Sequence, residues 1–449
     1  MVGKVCVVGL GKLGLPFAAC LAYKGYDVVG IDIDRSKVNL INQGKSPIYE
    51  PRLQELLEKC STNLRATSEF QAIVDADVVF IVVNTPSKED GSYSLDQVLS
   101  AAQMVGEAMR LTKKYQVIVL VSTVMPGDTE NYLKPSLEHV SGKKCGRDFG
   151  LCYNPEFIAL GNVIEGLLNP DFVLIGEYDR RCGDIVEQIY KKMCENDPPI
   201  ERMSIINAEI VKIALNSYIT MKITFANVLA EICERYEGAD IDVVTRALGR
   251  DRRVSPYYLK GGLSYGGPCF PRDNRAFYLC AKRVGCDARF ALVTDELNEH
   301  QNERVASLIL KELGDKGGKV AFLGLSYKPG TDVIEESASI KIIKRLLQSG
   351  DKVRIIVYDP IAIAATKRVL GEHVEYAENM EECIKDADLC VIATPWQDFL
   401  ELPDVLSRVN NNDLIIIDCW RMLRDRVAQL PSRCKYIGLG LYRKGASST

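Results

Sequence analysis

The sequence predicts an α/β chain in which two doubly wound parallel sheets are joined by a long central helix, and three observations predict it. Apolar runs of strand length alternate with helical stretches: Lys4–Val8, Asp27–Ile31, Ala76–Val83 and Gln116–Val121 early in the chain, Lys319–Leu325 and Val353–Tyr358 late in it. Such alternation reads as parallel strands with helical crossovers. The run Ala387-Asp-Leu-Cys-Val-Ile-Ala-Thr-Pro395 echoes Ala76-Asp-Val-Val-Phe-Ile-Val-Val-Asn-Thr-Pro86, so the last part repeats the first in outline. Between them, Met203–Glu237 contains no proline or glycine. Its apolar residues (Ile206, Ile210, Ile213, Tyr218, Met221, Phe225, Val228, Ile232) recur at helical spacing, giving a helix of roughly 50 Å. The expected domains are 1–200, 201–313 with the long helix, and 314–449 after the linker Gly314–Gly318.

Composition narrows the function. A chain of 449 residues, 47% hydrophobic and 26% charged, is ordinary globular protein with room for two or three cores. Its net charge of -4 gives no reason to expect nucleic-acid or anionic-membrane binding. No apolar run reaches membrane-spanning length, and Val5–Leu10 leads into glycines rather than a cleavage pattern, so a cytoplasmic protein is expected. The 15 cysteines include no Cys-x-x-Cys pair, and several lie in strand-like runs (Cys6, Cys390), which suits reduced, buried thiols. Only His139, His300 and His373 are present, unclustered, so neither a metal site nor a Ser-His-Asp triad is expected.

The strand Lys4–Val8 runs into Gly9-Leu-Gly11-Lys-Leu-Gly14, a helical run and a second strand that ends at Asp32, 18 residues past Gly14. This is a Rossmann-type dinucleotide pattern. Gly9 makes the turn, Gly11 admits the pyrophosphate and Gly14 lets helix and strand pack closely. The helix N-terminus faces the phosphates. Asp32 suits ribose hydroxyls and repels a 2′-phosphate, favouring NAD over NADP. In a doubly wound sheet, ligands bind beyond the carboxyl ends of strands, where Thr85, Pro86, Ser122 and Thr123 fall; helix capping is the plainer use of the hydroxyls.

Further along, Pro47-Ile-Tyr-Glu-Pro51 breaks the chain before the helical run Leu53–Cys60, and Asn154-Pro-Glu156-Phe157 presents a carboxylate at a strand end. Lys212 and Asn216, four apart on the long helix, share a face with apolar flanks. Gly249-Arg-Asp-Arg-Arg253 is a basic turn suited to a phosphate-bearing ligand, or simply a solvated surface. Gly266-Gly-Pro-Cys269-Phe-Pro-Arg-Asp273 strips side chains from the backbone before a thiol, so that a substrate can approach the sulfur. Lone cysteines are more often inert and buried, but a nearby cation turns such a thiol into a nucleophile.

Together these motifs, with Ser122-Thr123 and Lys328, resemble the UDP-glucose/GDP-mannose dehydrogenase family over nearly the whole chain. The Gly-Gly-x-Cys-Phe-Pro form is similar to the UDP-glucose branch, where GDP-mannose enzymes tend to have Leu-Pro and UDP-N-acetylmannosamine enzymes His-Cys-Ile-Pro. The resemblance implies NAD-dependent, four-electron oxidation of a UDP-hexose at C6, UDP-glucose to UDP-glucuronate, through a thiohemiacetal and a thioester on Cys269. It implies that Lys212 stabilises oxyanions, Asp273 moves protons with water, Asn216 holds the reacting oxygen, and Glu156 and Thr123 activate water. It also places Leu13 and Lys37 at the cofactor, and Phe157, Tyr258, Lys260, Gly266, Lys328 and Arg421 at the nucleotide sugar. Arg253 is implied to reach a neighbouring subunit, in a homodimer built on the central helix.

Departures accompany the resemblance. Leu160 stands where many UDP-glucose enzymes have a second carboxylate, and Phe172 where an arginine is usual. Val333-Ile-Glu335-Glu-Ser337 replaces Asp-x-Arg-x-Ser, reversing a charge near the expected cofactor, and Gly91–Asp96 follows the family's loop only loosely. Other readings are a UDP-N-acetylhexosamine or GDP-mannose 6-dehydrogenase, a two-electron 3-hydroxy acid dehydrogenase, and a non-catalytic nucleotide-binding assembly protein.

Overall fold

The computed structural model describes residues 2–350, 352–409, 411 and 413–444. The chain divides into two units, Met1–Leu215 with Leu279–Gly285, and Asn216–Tyr278 with Cys286–Thr449. Each is built on one sheet.

The first sheet contains β1 (Lys4–Val8), β2 (Asp27–Ile31), β3 (Leu64–Thr67), β4 (Val78–Ile81), β5 (Gln116–Leu120), β6 (Phe149–Tyr153), β7 (Val173–Glu177) and β8 (Ile200–Ser204), in spatial order 3-2-1-4-5-6-7-8. Its inner strands are buried on both faces. Val5 and Val7 of β1 enter one core, Cys6 and Val8 the other, as the two-residue period of a strand requires. Phe17, on the helix Gly14–Tyr23, meets Phe80 of β4 edge-to-face at 4.8 Å.

One pairing departs from the expected all-parallel sheet: β7 runs antiparallel to β6. The intervening helix, Val163–Leu168, has six residues. It rises about 9 Å, too little to carry the chain back along a strand of about 17 Å, so β7 enters reversed. The β8 strand also claims Met203 and Ser204, which pair with Gly176 and Glu177, and the long helix therefore begins at Ile205 and runs unbroken to Arg235.

The second sheet contains β9 (Gly318–Leu323), β10 (Val353–Tyr358), β11 (Glu375–Tyr376), β12 (Leu389–Ile392), β13 (Ile415–Asp418) and β14 (Lys435–Gly438), all parallel, in order 11-10-9-12-13-14. This is the same order as the first six strands of the other sheet, so the echo between Ala76–Pro86 and Ala387–Pro395 marks equivalent central strands. Gly324 after β9 matches Gly9 after β1: φ is +97° and +95°, and each amide donates at 2.8 Å to the last residue of the neighbouring strand, Tyr358 or Ile31.

A Cβ at Gly324 would lie 2.4 Å from the Thr394 side chain, whereas one at Gly11 would meet no atom within 4 Å. Gly324→Ala is therefore expected to destabilise the second unit by about 2 kcal/mol, through the left-handed φ and the clash. Gly11→Ala should leave unfolding unchanged. Urea midpoints check this, and equal midpoints for wild type and Gly324→Ala would discard the constraint.

Candidate active site

At the first glycine turn each glycine has its own reason. A Cβ on Gly9 would come within 2.3 Å of the Val82 carbonyl oxygen, and one on Gly14 within 1.9 Å of the Gly9 carbonyl oxygen, while Gly11 faces open space. The helix behind starts without a side-chain cap or an acid in its first turn, which leaves its partial positive charge for a ligand. Asp32 follows β2 directly, 8% exposed; Oδ2 accepts from the Leu10 amide at 2.9 Å and Oδ1 from the Asp34 amide at 2.9 Å. Lys37 Nζ lies 3.9 Å from Asp32 Oδ2. An open glycine, an uncapped helix start and an oriented carboxylate at the next strand end fit a dinucleotide.

Beyond β4 and β5 the hydroxyls serve the backbone as well as facing the same strand ends. Thr85 Oγ1 donates to the Thr123 carbonyl at 2.7 Å, and Ser122 Oγ both accepts from the Val83 amide and donates to its carbonyl. The residues after β5 are held by Glu209, which is fully buried on the long helix and accepts from the amides of Gly127 (2.6 Å) and Thr129 (3.0 Å). Burial pushes its carboxyl above the usual glutamate range.

After β6, Asn154 is buried, with Nδ2 on the Leu174 carbonyl and Oδ1 accepting from Tyr190. Glu156 Oε2 accepts from the Ile158 amide at 2.6 Å. The Lys212 ammonium donates to the Glu156 carbonyl and lies 4.9 Å from the centre of the Phe157 ring. Lys212 is 4% exposed, and Phe157 stacks on Phe172 at 4.9 Å. The aromatic at 172 thus extends an apolar shelf under the ammonium. Leu160 likewise packs against the core.

In the second unit Cys269 precedes the helix Phe270–Arg283 and is half-buried, unlike the fully enclosed Cys6, Cys152 and Cys390. Its carbonyl accepts from the Asp273 amide at 2.8 Å, placing the cysteine at the helix start, where anionic groups are favoured. Asp273 is fully buried one turn later, and its Oδ2 accepts from Asn216 Nδ2 at 2.6 Å. Amide side chains fix the approach to the cysteine. Asn227 bonds the Gly262 amide and the Leu263 carbonyl, Asn298 bonds both backbone groups of Tyr265, and Ser264 donates to Asn302.

The glycine pair has a different cause from the one expected. A Cβ on Gly266 would lie 2.2 Å from the Glu336 carbonyl oxygen, and one on Gly267 (φ +84°) 2.7 Å from the Tyr327 ring. The Gly267 amide donates to the Glu335 carbonyl at 3.0 Å. Close approach of the Glu336 backbone and of the Tyr327 ring is enough to demand glycine there. Glu335 acts through its backbone and its side chain is exposed; Glu336 pairs with Lys341 at 2.6 Å and Arg275 at 3.4 Å.

The outlying residues differ among themselves. Tyr258, at φ +60°, meets Phe270 beside the cysteine edge-to-face at 6.1 Å. Lys260 is exposed, Lys328 half-buried, and Arg253 exposed in a pair with Asp251 at 2.6 Å. Arg421 does not fit the expectation of a substrate-facing arm. Its side chain is 1% exposed, and its guanidinium holds both Asp242 oxygens at 2.9 Å and the carbonyls of Leu439 and Gly261. Sequence reasoning did not single out Glu209. Its signal was an acid set between Ile206, Ile210 and Ile213 on an otherwise apolar stretch. Among the described residues no group of three His, Cys, Asp or Glu is placed to hold a metal, and no helix is long and apolar enough to cross a membrane.

Comparison with known proteins accords with this geometry. Three sequence profiles of the UDP-glucose/GDP-mannose dehydrogenase family match: the NAD binding domain at residues 3–194, the central domain at 206–300 and the UDP binding domain at 321–425. A UDP-glucose 6-dehydrogenase of Haloferax volcanii is 34% identical over 426 residues, covering 94% of this chain and 98% of that protein. A GDP-mannose 6-dehydrogenase of Pseudomonas putida is 36% identical over 416 residues, covering 89% and 92%. The solved UDP-glucose dehydrogenase of Pyrobaculum islandicum superposes with a TM-score of 0.88 at 30% identity, covering 98% of each chain. The cofactor is NAD, and the chain belongs to the UDP-glucose/GDP-mannose dehydrogenase family of nucleotide-sugar dehydrogenases.

Proposed function

We propose that the chain oxidises C6 of a UDP-hexose twice, UDP-glucose to UDP-glucuronate, with the intermediate held on Cys269. The observation that carries this reading is the half-buried thiol at a helix start with the Asn216–Asp273 pair one turn away. The Phe-Pro that follows Cys269 supports the UDP branch.

Bound NAD supplies the acceptor for the hydride lost from carbon in each oxidation. In the first, Asp273, through water, takes the hydroxyl proton while Asn216 holds the oxygen. Cys269 sulfur then adds to the aldehyde carbon; a C–S bond forms, the carbonyl opens, and the thiol proton passes to the new hydroxyl, giving a thiohemiacetal. Loss of that hydroxyl proton and of the remaining carbon-bound hydride leaves a thioester. Water positioned by Glu156 and Thr123 breaks the C–S bond, releasing the acid and the thiol. The Lys212 ammonium offsets the negative oxygens along this path. Covalent retention keeps the aldehyde from leaving between oxidations.

Gly9, Gly11, Leu13 and Gly14 cradle the pyrophosphate, Asp32 and Lys37 lie at the ribose, and Thr85, Pro86 and Ser122 line the nicotinamide side. Phe157, Tyr258, Lys260, Gly266 and Lys328 take the nucleotide sugar. Arg253 reaches it from a second subunit. Tyr218, Met221, Phe225, Ile232 and Tyr236, all exposed, recur at helical spacing and form the stripe on which a homodimer assembles. GDP-mannose is the second reading, favoured by the 36% identity to the Pseudomonas putida enzyme.

A panel of UDP- and GDP-sugars assayed for NADH and product acid tests the reading. UDP-glucose is expected to yield two NADH and one UDP-glucuronate; one NADH per sugar, or preference for GDP-mannose, rejects it. Cys269→Ser is expected to stop acid formation, and full turnover to the acid by that variant would refute the thioester route. Phe225→Asp should convert dimer to monomer in sedimentation equilibrium; an unchanged mass rules out that face.

A further inference from the structure

We propose that Glu50 is a positioning residue for the reaction, holding by its carboxylate the segment that carries Glu156 and Phe157. The inference rests on the function proposed above. Glu50 belongs to Pro47-Ile-Tyr-Glu-Pro51, a motif to which the chemistry assigns no task. It is 8% exposed, and its two oxygens grip two amides of a distant segment: Oε2 accepts from Gly161 at 2.9 Å and Oε1 from Val163 at 2.7 Å.

The grip does more than cap a helix. Asn162 occupies the N-cap of Val163–Leu168 and makes no side-chain cap bond. The acceptor comes instead from a residue 111 and 113 positions away, so the bonds set where the segment lies, not merely how it starts. Gly161, itself gripped, turns the chain at φ +80° between Glu156 and the second gripped amide. Upstream of that turn, the Glu156 carbonyl receives the Lys212 ammonium, and the Phe157 ring lies beneath it. Across the turn, Ile158 closes against Gly166, where a Cβ would lie 2.9 Å from the Ile158 side chain. Prolines at 47 and 51 stiffen the segment that delivers Glu50, and Arg52 adds a pair with Glu165 at 3.2 Å. Without the carboxylate, two amides lose charge-assisted acceptors and the Glu156 carbonyl loses its fixed place.

Glu50→Gln is the test, since an amide of the same shape keeps one acceptor oxygen and offers an unwanted donor to the second N–H. A shift of about 1 Å in a positioned group costs about 100-fold in rate, so kcat is expected to fall about 10- to 100-fold. KM for NAD should stay within about two-fold, because the glycine turn is not gripped. Glu50→Asp, which keeps the charge but withdraws it by one methylene, should show the same split at smaller size. Hydrogen exchange should quicken across residues 157–163 and not across 5–23. Unchanged kcat, or losses shared equally by kcat, NAD binding and exchange throughout, overturns the proposal. Exchange reads the grip without any sugar: a wild-type chain that oxidises no nucleotide sugar defeats the functional reading, and unchanged exchange at 157–163 in Glu50→Gln defeats the grip.

Discussion

Backbone amides that leave a sheet at its carboxyl edge have no strand to bond to, and this molecule repeatedly meets them with a buried carboxylate. Asp32 accepts from Leu10 and Asp34, and Asp359 from Leu325, Ser326, Ile361 and Ala362. Asp418 accepts from Trp420 and Leu423, Glu209 from Gly127 and Thr129, and Glu50 from Gly161 and Val163. An orphaned buried amide costs about 1–3 kcal/mol, and a carboxylate acceptor gives a bond about twice the strength of a neutral one. The loops at the strand ends therefore take their shape from buried acids.

Within that shared design the two sheets part at a few residues. Both place a glycine with φ near +95° after the first strand, and both turn an aspartate onto the following amide. In the first unit Gly11 leaves open space and the helix starts at once, at Gly14. In the second, Ser326 occupies the place of Gly11, a loop of residues 327–337 intervenes, and the helix begins only at Ala338. Asp359, 1% exposed, also receives the Trp396 indole N–H. Its oxygens hold the turn and the indole together, so the second turn keeps the fold of the first without its open glycine.

That intervening loop has another use. The backbone of Glu335 and Glu336 lies on Gly266 and Gly267, so the loop after the second glycine turn braces the cysteine segment. Side-chain amides of Asn227 and Asn298 hold the same segment from two helices. The role proposed for Cys269 calls for a sulfur fixed in position more than for strong local contacts, and backbone bracing of this kind supplies that.

What the amino-acid order determined was whatever depends on neighbours within about twenty residues. The Gly9–Asp32 unit, the long helix and the i, i+4 relation of Lys212 to Asn216 were all legible, because period and glycine spacing are local properties. The Pro-Ile-Tyr-Glu-Pro motif was visible as a break but silent about Glu50, whose partners lie more than a hundred positions on. The glycine pair before Cys269 read as room for a substrate, yet its necessity comes from Glu336 and Tyr327. Arg421 read as a ligand arm, yet Asp242 and two carbonyls enclose it. Only the tertiary structure decided these points, because which side chain satisfies a buried amide or guanidinium is settled by what packing brings to it.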